Sequence, residues 1–205
     1  MPSQTQSLNC PNCGGPVRVE HRSVRMVACG YCAGLLEVVP DGVRMAGTAA
    51  RLVPLPTQFR VGQTGTIRGR PFHVLGRVRY AYDEGVWDEW YLALDDGQAA
   101  WLEEDDGEYI LARPEELQGV VPGFDQLRIG VRLTVNGYSL MVTERCRARV
   151  AGAEGQLFSR ALLNRPVNFV EGNAGGRIAY LEFSDDGVEF GIGEPLDRSD
   201  VRVEA

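Results

Sequence analysis

Lysine is absent from the 205-residue sequence, and histidine occurs only twice, at His21 and His73. The 21 basic side chains are therefore all arginine, a bias to which we attach no functional weight. With so few histidines, no Ser/His/Asp or Cys/His arrangement for nucleophilic catalysis can be assembled. The sequence accordingly predicts that the protein is not an enzyme.

Long apolar segments are also missing. No run approaches the roughly 20 apolar residues that a membrane-spanning helix requires. Residues 1–10 have neither the basic region nor the apolar core of a signal peptide. We therefore expect no membrane insertion and a cytoplasmic location. With 44% apolar residues, the chain can still bury packed cores for one or two domains.

Four of the five cysteines form two Cys-x-x-Cys pairs, and 15 residues separate Cys13 from Cys29. In a reducing compartment, close pairs of this kind more often bind metal than form disulfides. The spacing is that of a zinc ribbon, in which four thiolates complete a tetrahedral shell with no open position. We expect one structural Zn²⁺ per chain, with a rubredoxin-like iron site or a redox dithiol pair as alternatives. The predicted ligands are Cys10, Cys13, Cys29 and Cys32.

The residues between the two cysteine pairs favour a β-hairpin. Apolar side chains alternate within residues 17–28, which predicts that this segment forms the hairpin of the ribbon. His21 lies in its middle and is expected to be exposed in a turn, because four cysteines already fill the metal shell. A module of about 35 residues is too small to hold a core without its metal.

A stretch in the middle of the chain, residues 61–112, recurs in degraded form. Five features reappear 68 positions later (129 minus 61), and one Asp-Gly pair reappears 80 positions later (186 minus 106), so the second copy would carry an insertion. Self-similarity of this kind predicts a tandem repeat of one structural unit. The five features are Val61-Gly62, Gly69, Val74, Arg77 and Arg79, and the Asp-Gly pair is Asp106-Gly107.

Both copies have the pattern of short β-strands. Runs rich in β-branched and aromatic residues are cut by turn residues such as Asp95-Asp96-Gly97, and Asp-Gly is a favoured hairpin turn. Neighbouring strands should pair antiparallel, and without helices to cover them each unit should close on itself. The predicted strands are residues 64–68, 72–82, 90–94, 99–103 and 108–112 in the first unit, and residues 131–136, 138–150, 155–163, 167–171, 177–184 and 188–192 in the second.

The predicted fold class is therefore mainly β, with an N-terminal zinc ribbon and two related small antiparallel β-barrel-like units. The ribbon is placed at residues 1–42, a linker at 43–59, the first unit at 60–118 and the second at 119–205. Within the linker, residues 47–53 favour a helical turn or two before Pro54 and Pro56 interrupt it.

Two arginine pairs lie at matching places in the copies. Arg77 and Arg79 are two residues apart in a strand and share a face, as do Arg145 and Arg147. Either the pairs face a ligand, or they lie on an outer sheet face and bind carboxylates on neighbouring strands. The second interpretation is favoured, since acidic residues are plentiful. Cys146, within the second pair, is either a reactive thiol of lowered pKa or, more commonly, a buried strand cysteine.

Many aromatic residues accompany the acidic residues 83–89 of the first unit. They favour a groove for a basic or proline-rich partner segment or for a cationic ligand, and the alternative is that they fill the core. We expect Trp87 to be the most exposed tryptophan and Trp101 the most buried, so that Trp87→Ala costs less than about 1 kcal/mol. The candidate partner-binding residues are Tyr80, Tyr82, Trp87, Trp90 and Tyr91.

The first unit resembles a bacterial family called domain of unknown function 4178. The resemblance rests on residues 65–77, on Trp87-Asp88-Glu89-Trp90-Tyr91-Leu92 and on Trp101-Leu102-Glu103. Members often carry a Cys-Pro-x-Cys-Gly zinc ribbon in front. They tend to be encoded near phage-shock-type membrane-stress proteins and near aminopropyltransferase-like enzymes of polyamine synthesis. The resemblance supplies no catalytic residues and implies an accessory or adaptor role.

Three functional hypotheses follow. The first is a non-enzymatic zinc-ribbon adaptor that binds a protein partner whose identity the sequence does not give. The second is nucleic-acid binding through the ribbon, which the net charge of −7 disfavours because such binding draws on neutralised phosphates. The third is a sensor of a small cationic ligand such as a polyamine.

Overall fold

The computed structural model describes residues 6–158, 165–185 and 187–204, and these residues form sixteen strands. The ribbon strands are β1 (Gln6–Asn9), β2 (Pro16–Val19), β3 (Met26–Ala28), β4 (Gly34–Val39) and β5 (Gly42–Thr48). The next five are β6 (Thr64–Ile67), β7 (Arg70–Tyr82), β8 (Gly85–Leu94), β9 (Ala99–Asp105) and β10 (Glu108–Glu115). The last six are β11 (Arg132–Val135), β12 (Tyr138–Leu157), β13 (Pro166–Asn173), β14 (Ile178–Ser184), β15 (Gly187–Leu196) and β16 (Val201–Val203).

The mainly β, antiparallel fold class is confirmed. Every strand pairing is antiparallel, and the only helical elements in the described ranges are 3-10 turns at Phe124–Gln126 and Arg198–Asp200. None of the helices found there is long and apolar enough to cross a membrane. The predicted strand at 155–163 corresponds to the end of β12, and its residues 159–163 lie outside the described residues, as does Asp186 of the second Asp-Gly pair.

The two halves of the sheet do not close separately, which corrects the expectation of two barrel-like units. β6 to β10 form one meander and β11 to β15 another, but β7 pairs with β12 and β10 pairs with β15. Eight strands therefore form a closed ring in the order β7-β8-β9-β10-β15-β14-β13-β12. A meander alone leaves two edges of unpaired backbone groups, and pairing the matching edges of both halves satisfies them.

A glycine pair makes one of these joins possible. Gly76 on β7 lies opposite Gly155 on β12. A Cβ at Gly76 would collide with the backbone of Gln156, and Gly155 has a φ of +68° and would meet the carbonyl of Leu75. Side chains at these positions would push β7 and β12 apart, so glycine is required where the halves meet.

The halves also repeat local geometry at the displacement of 68 residues. The Gly62 amide donates to the Val74 carbonyl at 2.8 Å, and the Gly130 amide donates to the Val142 carbonyl at 2.8 Å. The hairpin turns agree as well, with positive φ angles at Arg68-Gly69 and at Asn136-Gly137. These matches support the predicted repeat, while its origin by duplication stays a prediction.

The ribbon differs from the expected hairpin. β2 pairs with β1, whereas β3 pairs with β4 on one side and with β12 on the other, so residues 17–28 do not form a hairpin of their own. β5 extends to Thr48 at the position of the predicted linker, and residues 49–53 form no helical turn. Pairing with β12 joins β3, β4 and β5 to the large sheet, while β1 and β2 form a separate two-stranded sheet.

Alternating side chains build cores on both faces of the closed sheet. The interior is filled by residues from both halves, among them Val78, Tyr80, Ala148, Phe169 and Tyr180. On the outside, Phe59 and its neighbours cover the first half, and Phe124 and Leu127 cover the second.

Candidate metal centre and acidic interior

Two turns of the same geometry present the four ribbon cysteines. The Cys10 amide donates to the Gly15 carbonyl and the Cys29 amide to the Gly34 carbonyl, both at 2.8 Å. Gly14 (φ +74°) and Ala33 (φ +57°) occupy matching left-handed positions, where glycine is favoured because it has no Cβ. Each turn curls the backbone so that its two thiols point to one place.

The sulfur positions fit a tetrahedral metal ion. The Sγ atoms of Cys10 and Cys32 lie 3.7 Å apart and those of Cys13 and Cys29 lie 3.8 Å apart, and all four lie within 4.8 Å of one another. A tetrahedron with Zn–S bonds of about 2.3 Å has edges of about 3.8 Å, while a disulfide would need about 2.05 Å. The four cysteines can therefore bind one metal ion in a closed shell.

The pKa values of Cys13 and Cys32 are shifted in opposite directions. Hydrogen bonds from the Asn12 side chain and the Gly34 backbone lower the pKa of Cys32 to about 6. The Gly15 backbone acts to lower the pKa of Cys13, but desolvation and the neighbouring thiols raise it to about 12. A divalent cation at the centre would replace the thiol protons and favour all four thiolates.

The ribbon is fastened to one end of the closed sheet. His21 is buried, not exposed as expected: its Nε2 donates to the Gly97 carbonyl at 3.2 Å, and its ring lies 5.7 Å from that of Phe158. The Glu20 amide donates to Gln156 Oε1 at 2.7 Å. Leu75 of β7 packs in the core of the ribbon. These contacts bury His21, which a free-standing ribbon would expose.

The structure buries most of the aromatic residues that were predicted to contact a partner. Trp87 and Trp101 are each 8% exposed and Trp90 is 1% exposed, so the prediction that Trp101 is the most buried tryptophan is wrong, and Trp87 is not more exposed than Trp101. Tyr80 and Tyr91 are also buried, and only Tyr82 is half-buried. Tyr80, Trp87 and Tyr91 face the interior, whereas Trp90 packs against Phe59 on the outside.

Four carboxyl groups share the interior with these aromatic rings. Each lies two residues after an aromatic residue in its strand and thus on the same face. Our reading of the sequence missed this aromatic-x-Glu pattern because carboxylates are normally assigned to the solvent side of a strand. The four pairs are Trp87/Glu89 on β8, Trp101/Glu103 on β9, Phe169/Glu171 on β13 and Tyr180/Glu182 on β14.

The interior raises the pKa of all four carboxyl groups. Burial, with the charge of Glu189, raises the pKa of Glu182 to about 8, and burial, with the charges of Glu144 and Asp105, raises that of Glu171 to about 7. Burial and neighbouring carboxylates hold the pKa values of Glu89 and Glu103 well above the usual range. Among the described residues, no arginine or histidine forms a salt bridge with any of the four.

A cavity of about 350 Å³ opens into this interior. It is lined by the carboxyl groups of Glu89, Glu182 and Glu189, by the rings of Tyr91 and Trp101, and by Ser23 and Arg25 of the ribbon. This volume lies within the range of about 300–1,000 Å³ that is typical of small-molecule sites.

One family comparison covers the closed sheet. The family model described as Domain of unknown function (DUF4178) matches residues 60–198. The chain belongs to the DUF4178 family. The DUF4178 match spans both halves, so the family unit is the whole closed sheet, and the ribbon lies outside it. No curated protein and no solved structure matches the chain.

The arginine pairs of the DUF4178 domain lie on its outer face, as favoured from the sequence. Asp88 accepts from Arg79 Nη2 at 2.6 Å and from Arg77 Nη1 at 3.4 Å, and all three side chains are buried. In the second half, Arg147 forms an ion pair with Asp125 at 2.8 Å and Arg145 donates to the Phe124 carbonyl. The first pair therefore links β7 to the neighbouring strand β8, and the second pair holds the segment with Phe124 and Asp125 against the outer face.

Cys146 of the DUF4178 domain has no sign of an activated thiol. Burial, together with the charges of Glu144 and Glu171, raises its pKa to about 12. The interpretation as a strand cysteine turned towards the interior therefore replaces that of a reactive thiol.

A second cavity, an open groove of about 790 Å³, lies on the outside of the DUF4178 domain near the β7–β8 and β9–β10 turns. We call it the acidic groove. It is lined by Leu55, Pro56, Thr57, Gln58, Tyr82, Glu84, Gly85, Val86, Trp87, Asp88, Glu104, Asp105, Asp106, Gly107, Tyr109 and Arg198.

Proposed function

We propose that this DUF4178 protein is a non-enzymatic zinc-ribbon accessory protein that binds a basic segment of a protein partner. The acidic groove is the observation that carries the proposal. It includes Tyr82 and Trp87, two of the five residues predicted from the sequence to contact a partner. Trp87 is itself only 8% exposed and faces the interior, so Tyr82 is the predicted residue that a partner can contact most fully. Tyr80, Trp90 and Tyr91 are buried and do not line the groove.

The charges of the groove favour a cationic partner. Asp88 is neutralised by Arg77 and Arg79, and Glu104 accepts from Thr57 Oγ1 at 2.7 Å and from Trp90 Nε1 at 2.9 Å. Glu84, Asp105 and Asp106 form no salt bridge within the described part of the chain. Arg198 is the only cation that lines the groove in those residues. Uncompensated carboxylates steer and hold lysine or arginine side chains.

Apolar residues at the rim favour a peptide segment over a free ion. Leu55 is 43% exposed and Val86 is 37% exposed, and both line the groove together with Pro56. An extended segment that alternates basic and aliphatic residues could cover these side chains while its cations reach Glu84 and Asp106. Nucleic acid is disfavoured as the partner, since phosphates would be repelled by the same carboxylates.

The metal of the ribbon is proposed to be Zn²⁺, since four thiolates at tetrahedral spacing are its preferred structural set. The closed shell supports a structural role, and we propose that the metal holds the ribbon on the sheet while the groove binds the partner. The cytoplasmic location and the bacterial source remain predictions from the sequence.

Selection from a library of short peptides on the metal-loaded full chain tests the proposal. We expect the selected peptides to be basic, and their affinity to fall as salt concentration rises. The double variant Glu84→Gln/Asp106→Asn should weaken them about tenfold or more. Asp41→Asn is the matched control, because Asp41, like Asp106, is an exposed aspartate before a glycine turn.

Selected peptides without basic residues, or equal affinity for the double variant and for the wild type, would refute a basic partner in this groove. Comparison of backbone amide shifts with and without peptide locates the binding residues independently of the variants.

A further inference from the structure

The interior of the closed sheet contains more carboxyl groups than an apolar core normally does. Glu89 is buried, and its carboxyl group accepts from the ring of Trp87. Glu182 of β14 is half-buried and lines the same cavity as Glu89. Burial, with the charge of Glu182, raises the pKa of Glu89. A buried carboxylate requires a partner cation or else stays protonated. In the part of the chain that the structure describes, no cationic side chain forms a salt bridge with either.

The hydroxyl of Tyr180 is a second and independent observation. Tyr180 is only 8% exposed, and its Oη has no hydrogen-bond partner. Burial, with the charges of Glu89, Glu189 and Glu182, raises the pKa of this hydroxyl. Its ring packs on Trp101 at 5.3 Å, and a Cβ at Gly191 would collide with the Oη. Buried hydroxyl groups are normally hydrogen-bonded, so an unpaired one beside two carboxyl groups indicates a missing polar ligand.

The shape of the site selects among cations. No group of three carboxylates in the described ranges brings its oxygen atoms within 4.8 Å of one another, so the interior does not present a chelating set for a metal ion. The cavity of about 350 Å³ beside Glu89 and Glu182 is walled by the rings of Tyr91 and Trp101. Aromatic faces and carboxylates together suit an organic ammonium ion, whose cation lies over a ring and whose N–H groups donate.

We propose that the closed interior binds a small organic amine whose primary ammonium group donates hydrogen bonds to Glu89, Glu182 and the Tyr180 hydroxyl. The aliphatic part of the amine lies against Tyr91 and Trp101 in the cavity. Ser23 and Arg25 of the ribbon also line the cavity. This site is separate from the acidic groove, and neither depends on the other.

Amine binding must be linked to proton release. At neutral pH the raised pKa of Glu182, about 8, keeps this carboxyl group mainly protonated. An ammonium ion pairs with the ionised form, so its binding displaces the carboxyl proton into the solvent. The affinity should therefore rise as pH rises from 6 to about 8. The other charged groups that line this cavity are Arg25, Glu89, Glu115, Glu116 and Glu189, and the charge of Glu189 adds to burial in raising the pKa of Glu182.

Calorimetric titration of the metal-loaded full chain tests the site, with butylamine and 1,4-diaminobutane as probes and butanol as the neutral control. We expect the amines to bind, butanol not to bind, and the heat to depend on the ionisation enthalpy of the buffer because protons are released. Glu182→Gln, a neutral substitution of the same shape, should weaken amine binding about tenfold or more, and Tyr180→Phe should weaken it by a smaller factor. The groove variant Glu84→Gln/Asp106→Asn should leave it unchanged.

The proposal is overturned if no amine binds, if butanol binds as well as butylamine, or if Glu182→Gln binds amines as the wild type does. Binding of Mg²⁺ or Ca²⁺ in place of the amines would also overturn it. Thermal unfolding of each variant shows whether it is folded. Gly191→Ala tests the role of the Tyr180 hydroxyl a second way, because its Cβ displaces this hydroxyl without changing any charge.

Discussion

Tyr80 on β7 packs edge to face against Phe169 on β13, with the ring centroids 5.1 Å apart. The two residues come from different halves of the chain and from strands that do not pair with each other. Trp87 stacks on Tyr80 at 5.0 Å and contacts Phe169 at 5.1 Å, so three rings cross the interior of the closed sheet. The halves therefore share one core, and the stability of each depends on the other.

Truncation of Trp87 should be costly. Its burial between Tyr80 and Phe169 means that Trp87→Ala leaves a cavity, and we expect a loss of about 3–5 kcal/mol in the free energy of unfolding instead of the 1 kcal/mol expected for an exposed ring. Urea denaturation measures this loss. Val120→Ala, at a residue that is 98% exposed, should change stability by less than about 0.5 kcal/mol. A loss near 1 kcal/mol for Trp87→Ala would contradict the shared core.

The buried pair of Arg79 and Asp88 should matter more than the exposed pair of Arg147 and Asp125. Asp88→Ala leaves the buried guanidinium of Arg79 without its carboxylate and that of Arg77 with Glu154 alone, and we expect a loss of about 3–5 kcal/mol. Asp125→Ala removes a partner from a pair whose side chains are 70% and 82% exposed, so the loss should be about 0–1 kcal/mol. Equal losses in denaturation experiments would argue against a buried network.

The metal prediction concerns Cys29. Metal analysis of the purified chain should find one zinc per chain, and Cys29→Ser should lose it because the tetrahedral set is incomplete. Hydrogen exchange should then accelerate throughout residues 6–48 and also in β12 near Leu157, which loses its pairing with β3. Cys146→Ser, remote from the four ligands, should keep its zinc. Iron with a visible absorption band, or no metal at all, would refute the assignment.

The interior carboxyl groups predict an unusual pH dependence of stability. Glu182 has a pKa of about 8 in the folded chain against an ordinary value of 4.5, and the pKa of Glu171 is raised to about 7. Between the ordinary pKa of 4.5 and the raised pKa values, the folded state binds more protons than the unfolded state. The free energy of unfolding therefore falls as pH rises from about 4.5 to 8. The slope is at most about 1.4 kcal/mol per pH unit for each group.

Urea midpoints measured across this pH range check the sign. Glu182→Gln should flatten the profile between pH 6 and 8, since it removes one titrating group without changing its shape. Asp41→Asn, at an exposed position outside this cavity, should leave the profile as it is. A stability that rises over the same range would show that these carboxyl groups are ionised and paired in the folded chain.

Local patterns in the sequence determined the metal ligands, the fold class and most strands. The spacing of Cys10, Cys13, Cys29 and Cys32 specifies the candidate metal site, because each Cys-x-x-Cys pair lies in a short turn that needs no distant contacts. Likewise, Asp-Gly turns and runs of alternating residues specify a meander within each half. The shared face of Arg77 and Arg79 followed from the period of two residues in a strand.

Only the tertiary structure decided which face of each strand is enclosed. The same alternation places Trp87 and Glu89 on one face of β8, but the sequence does not say whether that face meets solvent or the opposite wall of the sheet. The ring closes because β7 pairs with β12 and β10 pairs with β15, and these strands are far apart in the chain. The pairings are made by backbone N–H and C=O groups, which every sequence has, so the side-chain pattern does not reveal them. Because these pairings join the halves, aromatic residues that suited an exposed groove became the core, and Glu89 and Glu182, which suited solvent, came to line a cavity.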